Sequence, residues 1–392
     1  MPRTHIGNHW SFMLTGRIAV LAVFFCICVE SGLAQAPTPF VFTGWNYNTR
    51  QAASALNALQ DTWGETNPAT FTSLAANSRL SVDRMRGPEL VADSLSMALW
   101  RPWDITHQRV RTIREERGWH TWSEGYVRLG HVGADKRTGA MRYDTSRYGY
   151  MFGADYGDSR YWQFGGVFGH GLPCIDNDLG RIHGDDFTVG LYSKYNFFDQ
   201  GAISTFLGYG YQHCKMRRNG FSGALHYGSF SGDAGYASIE YTHIIPLADL
   251  GALMPLIAVD YQTAWTKRFS ETPHSNQWSQ SVSGSNMGRT MLRFGIDSKW
   301  DALLFGDFDL ASRVQGAFLL EGDRRASVTS TTPMTDTAMN LRSADLGWFE
   351  FNTGLTASGI YGERYNWFID FDVFTTGCIV ALQGQFGLST RW

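Results

Sequence analysis

A few residues in this chain have types and spacings that could carry chemistry. Gly157-Asp158-Ser159-Arg160 sets a serine behind a Gly-Asp pair, an arrangement found around the nucleophile of some ester hydrolases. Gly, Asp and Ser are also turn formers, and the stretch falls where two strand patterns meet, so it reads as a hairpin turn. Gly220-Phe221-Ser222-Gly223 lacks the spacing of a nucleophile elbow and does not sit between a strand and a helix. His170 and His183 fall in one loop and could meet a metal, yet no paired carboxylates stand at fixed ligand spacing beside them. After residue 36 the chain keeps Cys174, Cys214 and Cys378, an odd set that allows at most one internal bridge. Either one bridge ties a loop in an oxidising compartment, or the thiols stay unpaired and buried. The chain has no His-Glu-x-x-His, phosphate loop or dinucleotide fingerprint. Since no acid, base and nucleophile converge, the expectation is a protein that is not an enzyme, with no cofactor and no metal.

The elements that carry these residues follow from periodicity. Arg3 and Arg17 precede the apolar run Ile18 to Val29, and Ala34-Gln35-Ala36 offers small residues to a signal peptidase. Residues 1–36 therefore read as a secretory signal cleaved after Ala34 and Ala36, since the apolar run falls short of the roughly 20 residues that span a bilayer. Residues 37–49 form a short N-terminal remnant. Residues 50–117 are helical: Ala52, Ala53, Leu56 and Leu59 share one spacing, and Asn67-Pro68 caps a turn with Phe71 and Leu74. Gly87-Pro88 breaks the pattern, and Leu90, Val91, Leu95 and Leu99 resume it up to Pro102. Asp104 to Arg117 is a different helix, with Arg109, Arg111, Arg114 and Arg117 set against Asp104, Glu115 and Glu116. Taken alone, such a charge run reads as a solvated surface helix.

From Trp119 the period becomes two, and residues 118–392 divide into about twelve strands long enough for tilted membrane strands. Tyr365, Trp367, Ile369, Phe371 and Val373 lie on one side of a strand, with Asn366, Asp370 and Asp372 on the other. Phe187, Val189 and Leu191 alternate likewise with Thr188 and Gly190. In the last strand Val380, Leu382, Phe386, Leu388 and Trp392 share a greasy face opposite Gln383 and Gln385. The connections after the even strands are short, as at Ser159-Arg160 and Ile360 to Gly362. Those after strands one, three, five, seven and nine are long and polar, including Ser327 to Asp336. A membrane barrel has tight periplasmic turns and longer outer loops, and it leaves no strand edge unpaired in lipid. The fold class is thus an all-β transmembrane barrel preceded by a short helical segment. The net charge of -3 and pI near 6.4 exclude a nucleic-acid partner. The alternative to a plugged barrel is an outer-membrane channel or porin-like protein for small solutes.

These strands resemble the autotransporter β-domain of type V secretion. Trp122-Ser123-Glu124-Gly125-Tyr126 is similar to its Trp-x-x-Gly-Tyr opening, and Tyr148 to Asp155 is similar to its second-strand Gly-x-x-x-Gly-x-Asp motif. Phe386 to Trp392, with Phe386, Leu388 and the terminal Trp392, resembles the C-terminal assembly signal, which more often ends in Phe. Arg79-Leu80 to Gly87-Pro88-Glu89 resembles the helical segment before the barrel, so the resemblance covers roughly residues 45 to 392. It implies a twelve-stranded barrel with an α-helix in the pore, a place that Asp104 to Arg117 matches. Its arginines would face lumen acids such as Asp370 and Asp372. It also implies outer-membrane lipid, the barrel-assembly machinery and periplasmic chaperones as partners, a monomer, and protein transport at the bacterial outer membrane. The departure is the passenger: only about ten residues separate Ala36 from the helical segment. The barrel is therefore expected to display its loops or a short N-terminal segment.

Overall fold

Alternating side chains from Gly118 onward build twelve long antiparallel strands. They are β1 Gly118–Val132, β2 Tyr143–Asp158, β3 Trp162–Asn177, β4 Gly180–Phe197, β5 Gly201–Asn219 and β6 Leu225–His243. The remainder are β7 Gly251–Thr266, β8 Ser285–Trp300, β9 Phe308–Gly322, β10 Phe349–Tyr361, β11 Tyr365–Thr376 and β12 Ile379–Arg391. Each pairs with its neighbour in sequence, and β12 returns to β1 from His120–Arg391 to Val132–Ile379, which closes the ring. Two helices precede it, α1 Tyr47–Trp63 and α2 Glu89–Ala98. This computed structural model describes residues 46–63, 84–99, 118–158, 161–197, 200–220, 224–247, 251–272, 279–300, 308–332, 335–361 and 365–391. All of them belong to one compact unit, Phe40–Trp392.

Burial is inverted relative to a water-soluble barrel. Val127, Leu129, Leu355, Phe371, Leu382 and Phe386 stand exposed on the outer wall, while Glu124, Arg128, Asp260, Asp370 and Gln383 are buried on the inner one. An apolar exterior is stable only against lipid, and a polar interior suits a wet lumen. Tyr150, Phe168, Phe187 and Tyr211 supply the rings that mark an outer-leaflet boundary. Both ends of the barrel chain lie on one side, the periplasmic one, and the longest connections between strands lie on the other.

The connections differ from expectation in three places. The stretch after Gly171 is not a loop: β3 and β4 run on to a two-residue turn at Asp178-Leu179. Asn177 Oδ1 accepts the N–H groups of Leu179 at 2.8 Å and Gly180 at 3.2 Å there. β5 and β6 likewise continue past Cys214 to Asn219 and Leu225. Ser327–Thr332 and Thr335–Arg342 form a hairpin inside the connection expected to be an irregular loop. Above the bilayer the outward face turns polar while Ile175, Ile182, Cys214 and Met216 stay buried on the inner one, so the greasy-outside pattern reverses while the backbone keeps its ladder. The hairpin joins Ser281–Val282 and Phe269–Ser270 in a small second sheet, whose outermost strand, Thr335–Arg342, packs against α1.

Candidate functional site

The outer mouth of the barrel holds the N-terminal helices, and the residues that fix them form a connected hub. Asn46 starts α1 as a cap, with Oδ1 accepting the Thr49 N–H at 3.1 Å. Ala52, Ala55 and Leu56 then make a buried stripe against the outer hairpin, whose Leu341 and Met339 are buried with them. α2 begins after Pro88, whose fixed φ suits a helix start, and places Glu89 in its first turn. The Glu89 carboxylate, wholly buried, accepts four hydrogen bonds: Arg86 Nε at 3.0 Å, Arg86 Nη2 at 2.8 Å, Asn48 Nδ2 at 3.0 Å and the Met141 N–H at 2.7 Å. Asn48 bonds Arg342 both ways, donating to its carbonyl at 2.8 Å and accepting its N–H at 2.9 Å. Arg342 in turn lies 4.3 Å from the centre of the Tyr47 ring. Arg86 also donates to the Gly139 carbonyl. One buried charge pair thus ties together both helices, the β1–β2 connection and the hairpin after β9.

A second buried pair stands beside it. Arg218 grips Glu271 at 2.5 and 2.7 Å and donates to the Arg84 carbonyl at 3.0 Å. Gln280 bonds Glu271 at 2.9 Å and the Met85 carbonyl at 3.1 Å. Gly87 lies flat on this arginine, since a Cβ there would fall 1.6 Å from Arg218 Cδ. Gly87→Ala is expected to push Arg218 off Glu271, a disruption worth about 3–5 kcal/mol for a buried pair. Hydrogen exchange would show it as lost protection in α2, with the barrel strands unchanged.

From the hub α2 points into the lumen. Ser96 Oγ donates to Ser343 Oγ at 2.9 Å, and Tyr236 Oη, from the inner face of β6, donates to the Ala98 carbonyl at 2.8 Å. Leu90, Leu95 and Leu99 are fully buried. Asp93, one turn past Glu89 and beside Tyr143 and Cys378, has its carboxyl pushed well above the usual range by burial and then by the Glu89 charge, against weaker pulls from Ala344 and Arg86. The unfolded chain releases this proton at ordinary acid pH while the folded cap retains it. The cap is therefore most stable below the ordinary carboxylate range and weakens as pH rises toward the raised folded value. Exchange protection of α2 is expected to fall as pH rises above the ordinary carboxylate range, and Asp93→Asn is expected to flatten that dependence.

Below α2 the inner wall carries charges in bonded sets. Arg293 Nη1 meets Glu240 at 2.7 Å, and its Nε meets Asp260 at 2.8 Å. Arg313 meets Asp372 at 2.8 Å and Asp370 at 3.6 Å. Trp122 Nε1 donates to Tyr192 Oη at 2.9 Å, which donates to Asp155 at 2.7 Å. Higher up, Arg147 holds Asp186 at 2.7 Å. The inner half of the wall is acid-rich: Glu124, Asp155, Glu240, Asp260, Asp297, Asp370 and Asp372 face inward with Lys194, Arg293 and Arg313.

Asp370 and Asp372 thus project inward, and the partner seen for both is Arg313 of the wall. Arg109, Arg111, Arg114 and Arg117 lie outside the described residues, as do Ala34, Ala36 and Trp392. Phe386 and Leu388 lie on the outer face of the closing strand β12. His170 and His183 sit on adjacent strands rather than in a loop, and His170 pairs with Asp185 at 3.1 Å. All three described cysteines are free thiols, and burial pushes that of Cys378, at a turn, up to about 11. Sequence reasoning missed Asn48, Arg86 and Glu89. The one local sign was Gly87-Pro88-Glu89, a helix start with an acid in its first turn, and nothing local told where that acid would be buried.

A model described as the autotransporter beta-domain matches residues 121–372. Among solved structures, the translocator domain of the autotransporter NalP from Neisseria meningitidis is similar, with TM-score 0.58 at 13% identity over 82% of this chain and 98% of that one. The β-domain of the Bordetella autotransporter BrkA gives TM-score 0.47 at 15% identity over 70% and 100%. The transport unit of AIDA-I from Escherichia coli gives 0.47 at 11% over 77% and 97%. Comparison with curated proteins finds no match. Inverted burial, ring closure and the match over most of the barrel lead to one conclusion: the chain belongs to the autotransporter β-domain family and is an outer-membrane translocator barrel of type V secretion.

Proposed function

We propose that this translocator is held in a plugged state by its own N-terminal segment and keeps that segment at the cell surface. The observation that carries this reading is α2, seated in the outer mouth with Ala98 bonded to Tyr236, while β1 begins at Gly118 on the periplasmic side. Residues 100–117 join these two ends, and as a helix they would span about 27 Å at 1.5 Å per residue, close to the roughly 30 Å of a bilayer core. Arg109, Arg111, Arg114 and Arg117 would then enter the acid-rich inner half of the lumen, near Asp370 and Asp372. Opposite charges in a narrow wet pore favour that placement. The role has no catalytic step, and insertion would depend on the barrel-assembly machinery and periplasmic chaperones, with a monomer as product. Phe386, Leu388 and Trp392 would carry the assembly signal, and Ala34 and Ala36 the leader cleavage.

Deleting Asp104 to Arg117 from the refolded chain tests the reading in planar bilayers. The full chain is expected to conduct little, and the deletion to conduct in large steady steps. Equal conductance from both would show that this segment does not plug the pore.

A further inference from the structure

Just above the aromatic boundary, the outward face of β3, β4 and β5 changes from rings to cations within a few residues. Phe168 and Phe187 face each other with centroids 6.3 Å apart, and His170 lies 4.8 Å from Phe187. Further out along the same face, Cys174, His183 and Lys215 form one cross-strand row, and Asp176, Arg181 and Arg217 form the next. The register sets His183 directly opposite Lys215 and Arg181 directly opposite Arg217. Arg181 and Arg217, opposed in this way, repel one another, and Lys215 stands in the adjoining row on the same face as Arg217.

The carboxylates on this face do not neutralise the whole group. Asp176 pairs with Arg181 at 3.0 Å and Asp185 with His170 at 3.1 Å. Among the described residues neither Lys215 nor Arg217 has a carboxylate partner, and His213 adds a further titratable group beside them. The cations border an open cleft whose membrane-side wall carries Tyr148 and Leu172, with Asp185, already paired to His170, beside them. The cleft thus holds its unpaired cations away from the membrane and apolar side chains toward it, next to the lipid-facing band.

We propose that this cleft docks the phosphorylated headgroup of an outer-leaflet lipid. Its phosphate would lie between Lys215 and Arg217, where it relieves the repulsion between rows, and its acyl chains would rest on Tyr148 and Leu172. A charged headgroup tethered to apolar chains meets both walls at once, which a soluble anion does not.

The test uses the full refolded chain in neutral detergent and native mass spectrometry with three probes: a diphosphorylated glycolipid, the same lipid with its phosphates removed, and inorganic phosphate. The phosphorylated lipid is expected to stay bound and the other two to be lost. Lys215→Ala with Arg217→Ala is expected to weaken retention about tenfold, while Lys299→Ala, at the opposite end of the barrel, leaves it unchanged. Equal retention of the dephosphorylated lipid would overturn the proposal, since the apolar band alone would then suffice. So would binding of inorganic phosphate alone, or full retention by the double variant. If the double variant does not fold, judged by heat-modifiable migration, Lys215→Gln decides in its place by the same comparison.

Discussion

Glu89→Ala should open the outer mouth. The substitution removes the acceptor of four hydrogen bonds and leaves the Arg86 guanidinium and the Asn48 amide buried without it. Breaking a buried pair from one side costs about 3–5 kcal/mol because the surviving charge stays desolvated. That is a large share of the stability of any local unit, so α2 and the hairpin after β9 should lose exchange protection together. Brief conductance openings should appear in bilayer recordings, while heat-modifiable migration of the barrel persists. Glu89→Gln retains an acceptor for Asn48 and should fall between the two. Replacing both Arg86 and Glu89 with apolar residues of similar volume should be milder than Glu89→Ala, because no orphaned charge remains. A closed, fully protected mouth in Glu89→Ala would show that apolar packing of Leu90, Leu95 and Leu99 seals it without the hub.

The second large effect lies in the wall. Arg293 is almost wholly buried and bonds Glu240 and Asp260 at once, on the neighbouring strands β6 and β7. Arg293→Ala leaves these two carboxylates side by side on one stretch of wall without the arginine between them, so a loss of about 3–5 kcal/mol is again expected. The barrel should convert to its heat-denatured gel form at a clearly lower temperature. Arg293→Lys keeps the charge but supplies a point donor in place of a fork, and should recover only part of the loss. A variant that melts like the parent at neutral pH would mean that water hydrates these acids well enough to dispense with the arginine.

Much of the barrel was legible before any coordinates. A strand side chain alternates strictly, so Phe371 and Asp372 had to face opposite ways, and the choice of lipid for the greasy face followed from composition and export. The short link between the end of β2 at Asp158 and the start of β3 at Trp162 was legible because turn chemistry is local. The outer ends of β3 to β6 were not, because outward His183 and Lys215 alternate with buried Ile182 and Cys214, the reverse of the greasy-outside pattern that marks a lipid-facing strand. The hub was hidden for a different reason: Asn48 and Arg342 are 294 positions apart, and neither has a neighbour that signals the other.

Local pattern in the chain therefore set the number of barrel strands, their greasy and wet faces, and the inward aim of Asp370 and Asp372. Those features depend on backbone geometry that each residue feels from its nearest neighbours. Closure of the ring and docking of α1 and α2 decided the rest: that Arg313 meets those two acids, that Glu89 is buried with Arg86 and Asn48, and that Arg181 stands opposite Arg217 above the aromatic boundary. Such pairings depend on strand register and on segments brought together across hundreds of residues, and no local periodicity encodes them.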